Sequence, residues 1–186
     1  MSAERISLMD ETAVRRAVAR MAREIVEKTG GVEGLAVMGI HRRGIQIAEM
    51  LRQEIEAAEG ASVPAGSIDI SLYRDDLEAI GPRPIVGGSE LPPAGIDGKT
   101  IVLVDDVQHT GRTARAAMNE LMDWGRPDRI LLCVLVDRGG RELPIQPDTV
   151  GRHVDVLEDH QTVEVLVPDL DGRLAVDLVF THPEAS

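Results

Sequence analysis

Two adjacent carboxylates, Asp105-Asp106, end the apolar run Thr100-Ile101-Val102-Leu103-Val104, and four residues later the chain reads Thr110-Gly111-Arg112-Thr113 at the start of an amphipathic stretch. Neighbouring carboxylates repel each other and are costly to bury, so they call for hydroxyl donors, a cation, or both. A ribose 2′,3′-diol supplies such donors. A helix N-terminus offers N–H groups and a partial positive charge; Thr hydroxyls and a glycine that admits close backbone approach complete a cradle for phosphate. The segment Asp105-Asp106-Val107-Gln108-His109-Thr110-Gly111-Arg112-Thr113 therefore suits the two ends of a ribose 5-phosphate group. The same residues also suit a plain strand–turn–helix in which Thr110 caps the helix and both aspartates are solvated. The segment has neither a Walker Gly-Lys-Thr nor Gly-x-Gly-x-x-Gly, which weighs against nucleoside triphosphatases and Rossmann dehydrogenases.

A second set of candidates is Arg42, Arg43 and Gly44, in a short turn between an apolar run and an amphipathic one. Their N–H and guanidinium groups suit a pyrophosphate; the alternative is a pair of solvated arginines. Arg138 follows a further apolar run, with Asp137 and Glu142 available as local partners for Arg138 and Arg141. His109 has a side chain whose proton affinity suits general base work near neutrality, yet its place in the loop equally suits ordering the phosphate cradle through its backbone.

The elements that must position these residues follow from hydrophobic periodicity. Met9, Ala13, Val14, Ala17, Val18, Met21 and Ile25 recur at helical spacing after Asp10 as N-cap, and Gly30-Gly31 ends that helix. Leu35–Ile40, Thr100–Val104 and Ile130–Val136 are continuous apolar runs, as expected of strands buried on both faces. Amphipathic helices are expected from the turn at 41–44 to about Ala58 and from about Arg112 to Trp124. Residues Ser67–Tyr73 alternate as a half-exposed strand, and 162–167 with 174–180 form an expected antiparallel hairpin around Asp171-Gly172. Between Arg74 and Lys99 no period survives among many Gly and Pro residues, and a stretch of this kind and length is expected to act as a mobile cover. Buried strands alternating with helices predict an α/β open sheet, mostly parallel, flanked by helices, in a single domain over 1–186. Ligands of such sheets bind beyond the carboxyl ends of the strands, where Asp105 and Asp106 are expected.

Composition narrows the function classes. The 186 residues carry a net charge of −12, which excludes a uniformly basic nucleic-acid binder but not a local basic patch. One Trp, one Tyr and one Phe leave no aromatic platform for stacking several bases. The single cysteine, Cys133, lies in an apolar run and reads as a small buried hydrophobe; a reducing cytoplasm fits it. Residues 1–9 are too short and polar for a signal peptide, and no apolar run approaches the roughly 20 residues that span a bilayer. His41, His153, His160 and His182 show no metal-ligand spacing between them.

Val104-Asp105-Asp106-Val107-x-x-Thr110-Gly111-x-Thr113 resembles the phosphoribosyl pyrophosphate (PRPP) signature of type I phosphoribosyltransferases. Leu72-Tyr73-Arg74-Asp75-Asp76-Leu77, Val136–Ile145, Gly125-Arg126-Pro127 and Gly39-Ile40-His41-x-Arg43-Gly44 resemble the PyrR family, which combines attenuation of pyrimidine operons with uracil phosphoribosyltransferase activity. The resemblance runs from the first helix to about Gly151. It implies a type I phosphoribosyltransferase fold with a flexible hood over roughly 73–99 and a C-terminal β-hairpin. It implies that uracil and PRPP give UMP and pyrophosphate, with Mg²⁺ carried by PRPP and no direct metal ligand. It places Asp105, Asp106 and Arg43 in catalysis, residues 105–113 on the ribose and phosphate, and Arg42, Arg43 and Gly44 on pyrophosphate. Tyr73, Arg74 and Arg83 fall in the hood, and Val136 and Arg138 beside the base.

The family's second role, binding pyrimidine leader mRNA when UMP is high, would use Arg15, Arg16, Arg20, Arg141 and Arg152 on a basic face, enlarged by assembly into a homodimer or higher oligomer. The alternatives are a solvated helix face and a transferase without the RNA role, acting on another base. Three departures stand out. Gln108-His109 replaces the family's usual Leu-Tyr, Gly140 stands where it usually has His, and the stretch 152–159 carries Asp155, Glu158 and Asp159 where it is usually basic and polar.

Overall fold

The computed structural model describes residues 4–70, 88–154 and 160–180. Elements run β1 (Glu4–Met9), α1 (Glu11–Thr29), β2 (Leu35–Ile40), α2 (Arg43–Glu59), β3 (Ala65–Ile68), β4 (Thr100–Gln108), α3 (Arg112–Trp124), β5 (Arg129–Asp137), β6 (Thr149–His153), β7 (Gln161–Leu166), α4 (Pro168–Asp171) and β8 (Ala175–Phe180). Five strands form a parallel sheet in the order β3-β2-β4-β5-β6. Three form an antiparallel sheet in the order β1-β8-β7.

Side chains of the central strands point alternately to two cores. Val102 and Val104 of β4 join Val37, Cys133 and Leu135 in a cluster with the inner faces of α1 and α2 and with Val163, Val165 and Val176 of the small sheet. Ile101 and Leu103 join Ala36, Met38, Leu132 and Val134 against Ala114, Ala117 and Leu121 of α3. Burial on both faces is why these strands are apolar throughout. Cys133 is fully buried, and burial pushes its thiol far above the usual range, so it packs as a small hydrophobe.

Helix boundaries follow the sequence signals. Asp10 Oδ1 accepts from Ala13 N at 2.8 Å and caps α1, and Gly30 closes the helix at φ 69°. Strand boundaries differ more. β4 runs four residues beyond the expected Val104, because its ladder to β5 continues through Asp105↔Val134, Val107↔Val136 and Gln108↔Asp137. The two aspartates therefore sit in the end of the strand, not past it. The strand expected at 67–73 begins at Ala65 and is a parallel edge strand on β2; Ile68 and Ile70 are both buried, while residues 71–73 lie outside the described ones. Two further strands carry no apolar run: β1, mostly exposed, and the edge strand β6. The hairpin forms as β7 and β8, but its link holds the short helix α4, closed by Gly172 at φ 74°. No helix is long and apolar enough to cross a membrane among the described residues.

Candidate functional site

The carboxyl end of β4 carries Asp105, buried, and Asp106, half-buried. Each carboxylate accepts from the amide that follows it: Asp106 N to Asp105 Oδ1 at 2.9 Å, and Val107 N to Asp106 Oδ1 at 2.8 Å. These short rings hold both carboxylates at the strand end. Gln108 is buried, with Nε2 3.5 Å from Ile145 O. The chain then turns through His109 and Thr110 to Gly111, whose φ of 94° is a left-handed value that favours glycine. Among the described residues no side chain caps α3 in the manner expected of Thr110; that hydroxyl instead accepts from Arg112 N at 3.3 Å. An uncapped helix N-terminus beside a threonine hydroxyl is a place for an anion.

A second segment comes against this one. The His41-Arg42 peptide is cis, Arg42 and Arg43 open α2, and Gly44 is buried. A Cβ at Gly44 would lie 2.8 Å from Val104 O and 3.3 Å from Asp105 Cα; one at Gly39 would lie 2.6 Å from Ile45 Cα. The two glycines let the β2–α2 turn rest directly on β4 beside Asp105. Arg43 reaches Asp171 of α4, with Nη2 donating at 2.8 Å and Nε at 3.2 Å. The hydrogen bond raises the Arg43 guanidinium above its usual range and lowers the Asp171 carboxyl below its own. This pairing left no signal in the sequence, since the partners are 128 residues apart.

The loop after β5 buttresses the third side. Val136 is fully buried and Arg138 half-buried, with Arg138 N donating to Gln108 O at 3.1 Å. Arg138 Nε is buried without a partner among the described residues, and burial lowers the affinity of this guanidinium for its proton. Glu142 N and Leu143 N both donate to Thr110 O at 3.0 Å. Arg141 donates to His109 O at 3.0 Å, Ile145 O at 2.9 Å and Asp137 Oδ2 at 2.7 Å. Of the two expected acidic partners, Asp137 takes Arg141, but Glu142 pairs with Arg112 at 2.7 Å and not with Arg138. Two of the three departures meet in space: a Cβ at Gly140 would lie 2.8 Å from His109 Nε2. Partial burial, with Arg138 and Arg141 nearby and Glu142 opposing them, holds the His109 imidazole below its usual range.

Among the basic-face candidates, Arg15 pairs with Glu11 at 2.8 Å and Arg152 donates to Leu8 O at 2.6 Å. Arg20 donates to Val150 O and Gly151 O at 3.0 and 2.6 Å. Arg16 is exposed and its side chain makes no hydrogen bond or ion pair among the described residues. Arg141 is directed into the chain, with 14% of its side chain exposed. Between α1 and β6 lies a cavity of about 410 Å³ lined by Arg20, Glu24, Asp148, Arg152 and His153 among others, of mixed charge. Tyr73, Arg74 and Arg83, with the acidic residues at 155–159, lie outside the described residues.

Comparison with known proteins places this geometry. The phosphoribosyl transferase domain family matches residues 7–170. The hypoxanthine phosphoribosyltransferase of Trypanosoma cruzi, solved in a ternary substrates complex, superposes with a TM-score of 0.71 at 22% identity, covering 98% of this chain and 97% of that one. This likeness shows the type I phosphoribosyltransferase fold. Curated relatives bear the name bifunctional protein PyrR. That of Thermus aquaticus is 53% identical over 171 residues, 92% of this chain and 93% of its own length. That of Acetivibrio thermocellus is 49% identical over 169 residues, 91% of each chain. The chain therefore belongs to the phosphoribosyl transferase domain family and, within it, to the PyrR family.

Proposed function

We propose that this chain transfers the phosphoribosyl group of PRPP to uracil, giving UMP and pyrophosphate, and that with UMP bound it recognises pyrimidine operon leader mRNA and attenuates transcription. The observation that carries the catalytic half is the convergence of three features. The Asp105-Asp106 strand end, the uncapped N-terminus of α3 and the Gly44 turn of α2 meet at one sheet edge.

In this reading Asp105 and Asp106 accept from the ribose diol, and Thr110, Gly111, Arg112 and Thr113 enclose the 5-phosphate. The bond from the ribose C1 to pyrophosphate breaks as the bond to the uracil nitrogen forms. Positive charge builds on the ribose and negative charge on the leaving pyrophosphate, so cations and N–H donors count for more than a strong base. Arg42, Arg43 and the amide of Gly44 supply them. Mg²⁺, a hard cation that keeps several waters, would neutralise charge on the phosphate oxygens. The donor set fits it: Asp106 is half-buried, and with Oδ1 held by Val107 N its carboxylate reaches solvent where such waters would lie. Val136 and Arg138 close the base side, where backbone groups suit the imide edge of uracil. Tyr73, Arg74 and Arg83 are assigned to a hood that excludes water.

The regulatory half is supported by the name of the relatives and by Arg15, Arg16, Arg20 and Arg152 along α1 and β6. A homodimer or higher oligomer in the cytoplasm would extend that face. Arg141 enters this role only as a support, because its guanidinium is bonded within the chain and only 14% of its side chain is exposed.

A panel of free bases with PRPP, scored by pyrophosphate release, tests the catalytic half: uracil is expected to react, and turnover only with a purine would replace it by another base. The second base class is worth including because the superposed neighbour is a hypoxanthine enzyme. Filter binding of leader RNA with and without UMP tests the other half. Affinity that is weak at physiological salt and indifferent to UMP would leave a transferase without an RNA role.

A further inference from the structure

Arg43 and Asp171 come together from distant parts of the chain. Arg43 opens α2 beside Asp105; Asp171 ends α4, in the link between β7 and β8. The contact is a side-on fork, with Arg43 Nε 3.2 Å from Oδ2 and Nη2 2.8 Å from Oδ1. That geometry uses Nε and one terminal nitrogen. Nη1, with its two N–H groups, has no bond among the described residues. The side chain of Asp171 is 16% exposed and that of Arg43 38%, so the carboxylate is set inward and the guanidinium reaches water. Asp171 is also anchored independently of Arg43: its Oδ2 accepts from Val167 N at 2.9 Å, which ties it to the start of α4. The carboxylate is thus a fixed post and the guanidinium the group it aims. The charges of Asp106 and Glu164 also act on Arg43, so the pair lies within electrostatic reach of the β4 strand end.

We propose that Asp171 is a positioning residue for phosphoribosyl transfer, holding the Arg43 guanidinium side-on so that Nη1 faces the pyrophosphate end of PRPP. An arginine without such a post samples many rotamers, and the ordering is then charged to ligand binding. The proposal rests on the transferase reading above.

Asp171→Asn tests it, since asparagine keeps an oxygen for Val167 N while removing the charge and turning one contact to Arg43 repulsive. The expected result is a rise in KM for PRPP on the order of 10-fold with kcat within about threefold, and substantial recovery in Asp171→Glu. In an Arg43→Ala background, Asp171→Asn is expected to add nothing to KM. An unchanged KM, a fall in KM, or full additivity of the two substitutions would overturn the proposal. Titration of PRPP by calorimetry on wild type and the same variants separates this outcome from failure of the transferase reading. If wild type turns over no base yet binds PRPP, the effect of Asp171 on affinity still decides the proposal. If wild type does not bind PRPP, both readings fall.

Discussion

Asp105 and Asp106 differ in their surroundings although they are neighbours in sequence. Asp105 is buried beneath the Gly44 turn, whereas Asp106 is half-buried; each is held by the next amide. Asp105→Asn and Asp106→Asn are each expected to lower kcat/KM for UMP formation by on the order of 100-fold or more while the circular dichroism stays native. Wild-type activity in both would remove the site from this strand end. Arg141 belongs to the same scale. Counted by sequence among residues facing RNA, it instead joins the carbonyls of His109 and Ile145 to the carboxylate of Asp137. Removing it leaves buried Asp137 with the Gly139 amide and a more distant His153 but without its arginine, so Arg141→Ala is expected to cost about 2 kcal/mol in urea unfolding and to raise KM for PRPP by loosening the loop. A loss confined to RNA affinity, with stability intact, would contradict that assignment.

Elements place these residues through two backbone approaches, at Gly39 and Gly44. Gly39→Ala is expected to destabilise the fold by about 1–3 kcal/mol, because its Cβ meets the backbone of Ile45 at 2.6 Å and that backbone has no side chain to swing aside. Chemical denaturation of the variant checks it. The three apolar strands and three long helices were readable because buried strands and amphipathic helices leave different periods. Four things were not. The polar end of β4 breaks the apolar run while the hydrogen-bond ladder carries on, so Asp105 to Gln108 looked like loop. β1 and β6 have much exposed surface and no apolar pattern. The Arg43–Asp171 fork joins residues that no local window contains. The exchange of acidic partners, with Glu142 on Arg112, depends on how the loop after β5 folds back over Thr110. The phosphate cradle itself was legible, since a strand, two carboxylates, Thr-Gly and a helix are contiguous in sequence.

The whole molecule also carries a buried acid that is not part of this cradle. Glu120 of α3 is buried; the Ser89 hydroxyl donates to its Oε1, and its Oε2 has no partner among the described residues. Ser89 Oγ in turn accepts from Asp69 N at 2.8 Å, so one carboxyl joins α3 to chain segments on two sides. Burial, reinforced by Asp69 and Asp123, raises the Glu120 carboxyl above its ordinary value of 4.5. The folded chain then binds this proton more tightly than the unfolded one. Its contribution to stability is full below pH 4.5 and is lost as pH rises through the raised folded value. Glu120→Gln is expected to flatten that slope and to raise the melting temperature at neutral pH; an unchanged pH profile would show that the carboxyl is not the source. The extension of β4 has a consequence of another kind. Its aspartates lie past the last β2 partner, Gly39↔Val104, and the strand continues along β5 alone, with the Asp106 and Val107 amides bonded to carboxylates and not to a neighbouring strand. The floor of the cradle should therefore exchange deuterium ahead of Ile101 to Val104, which are paired on both sides, and on heating, ligand-binding capacity should fade before the sheet melts.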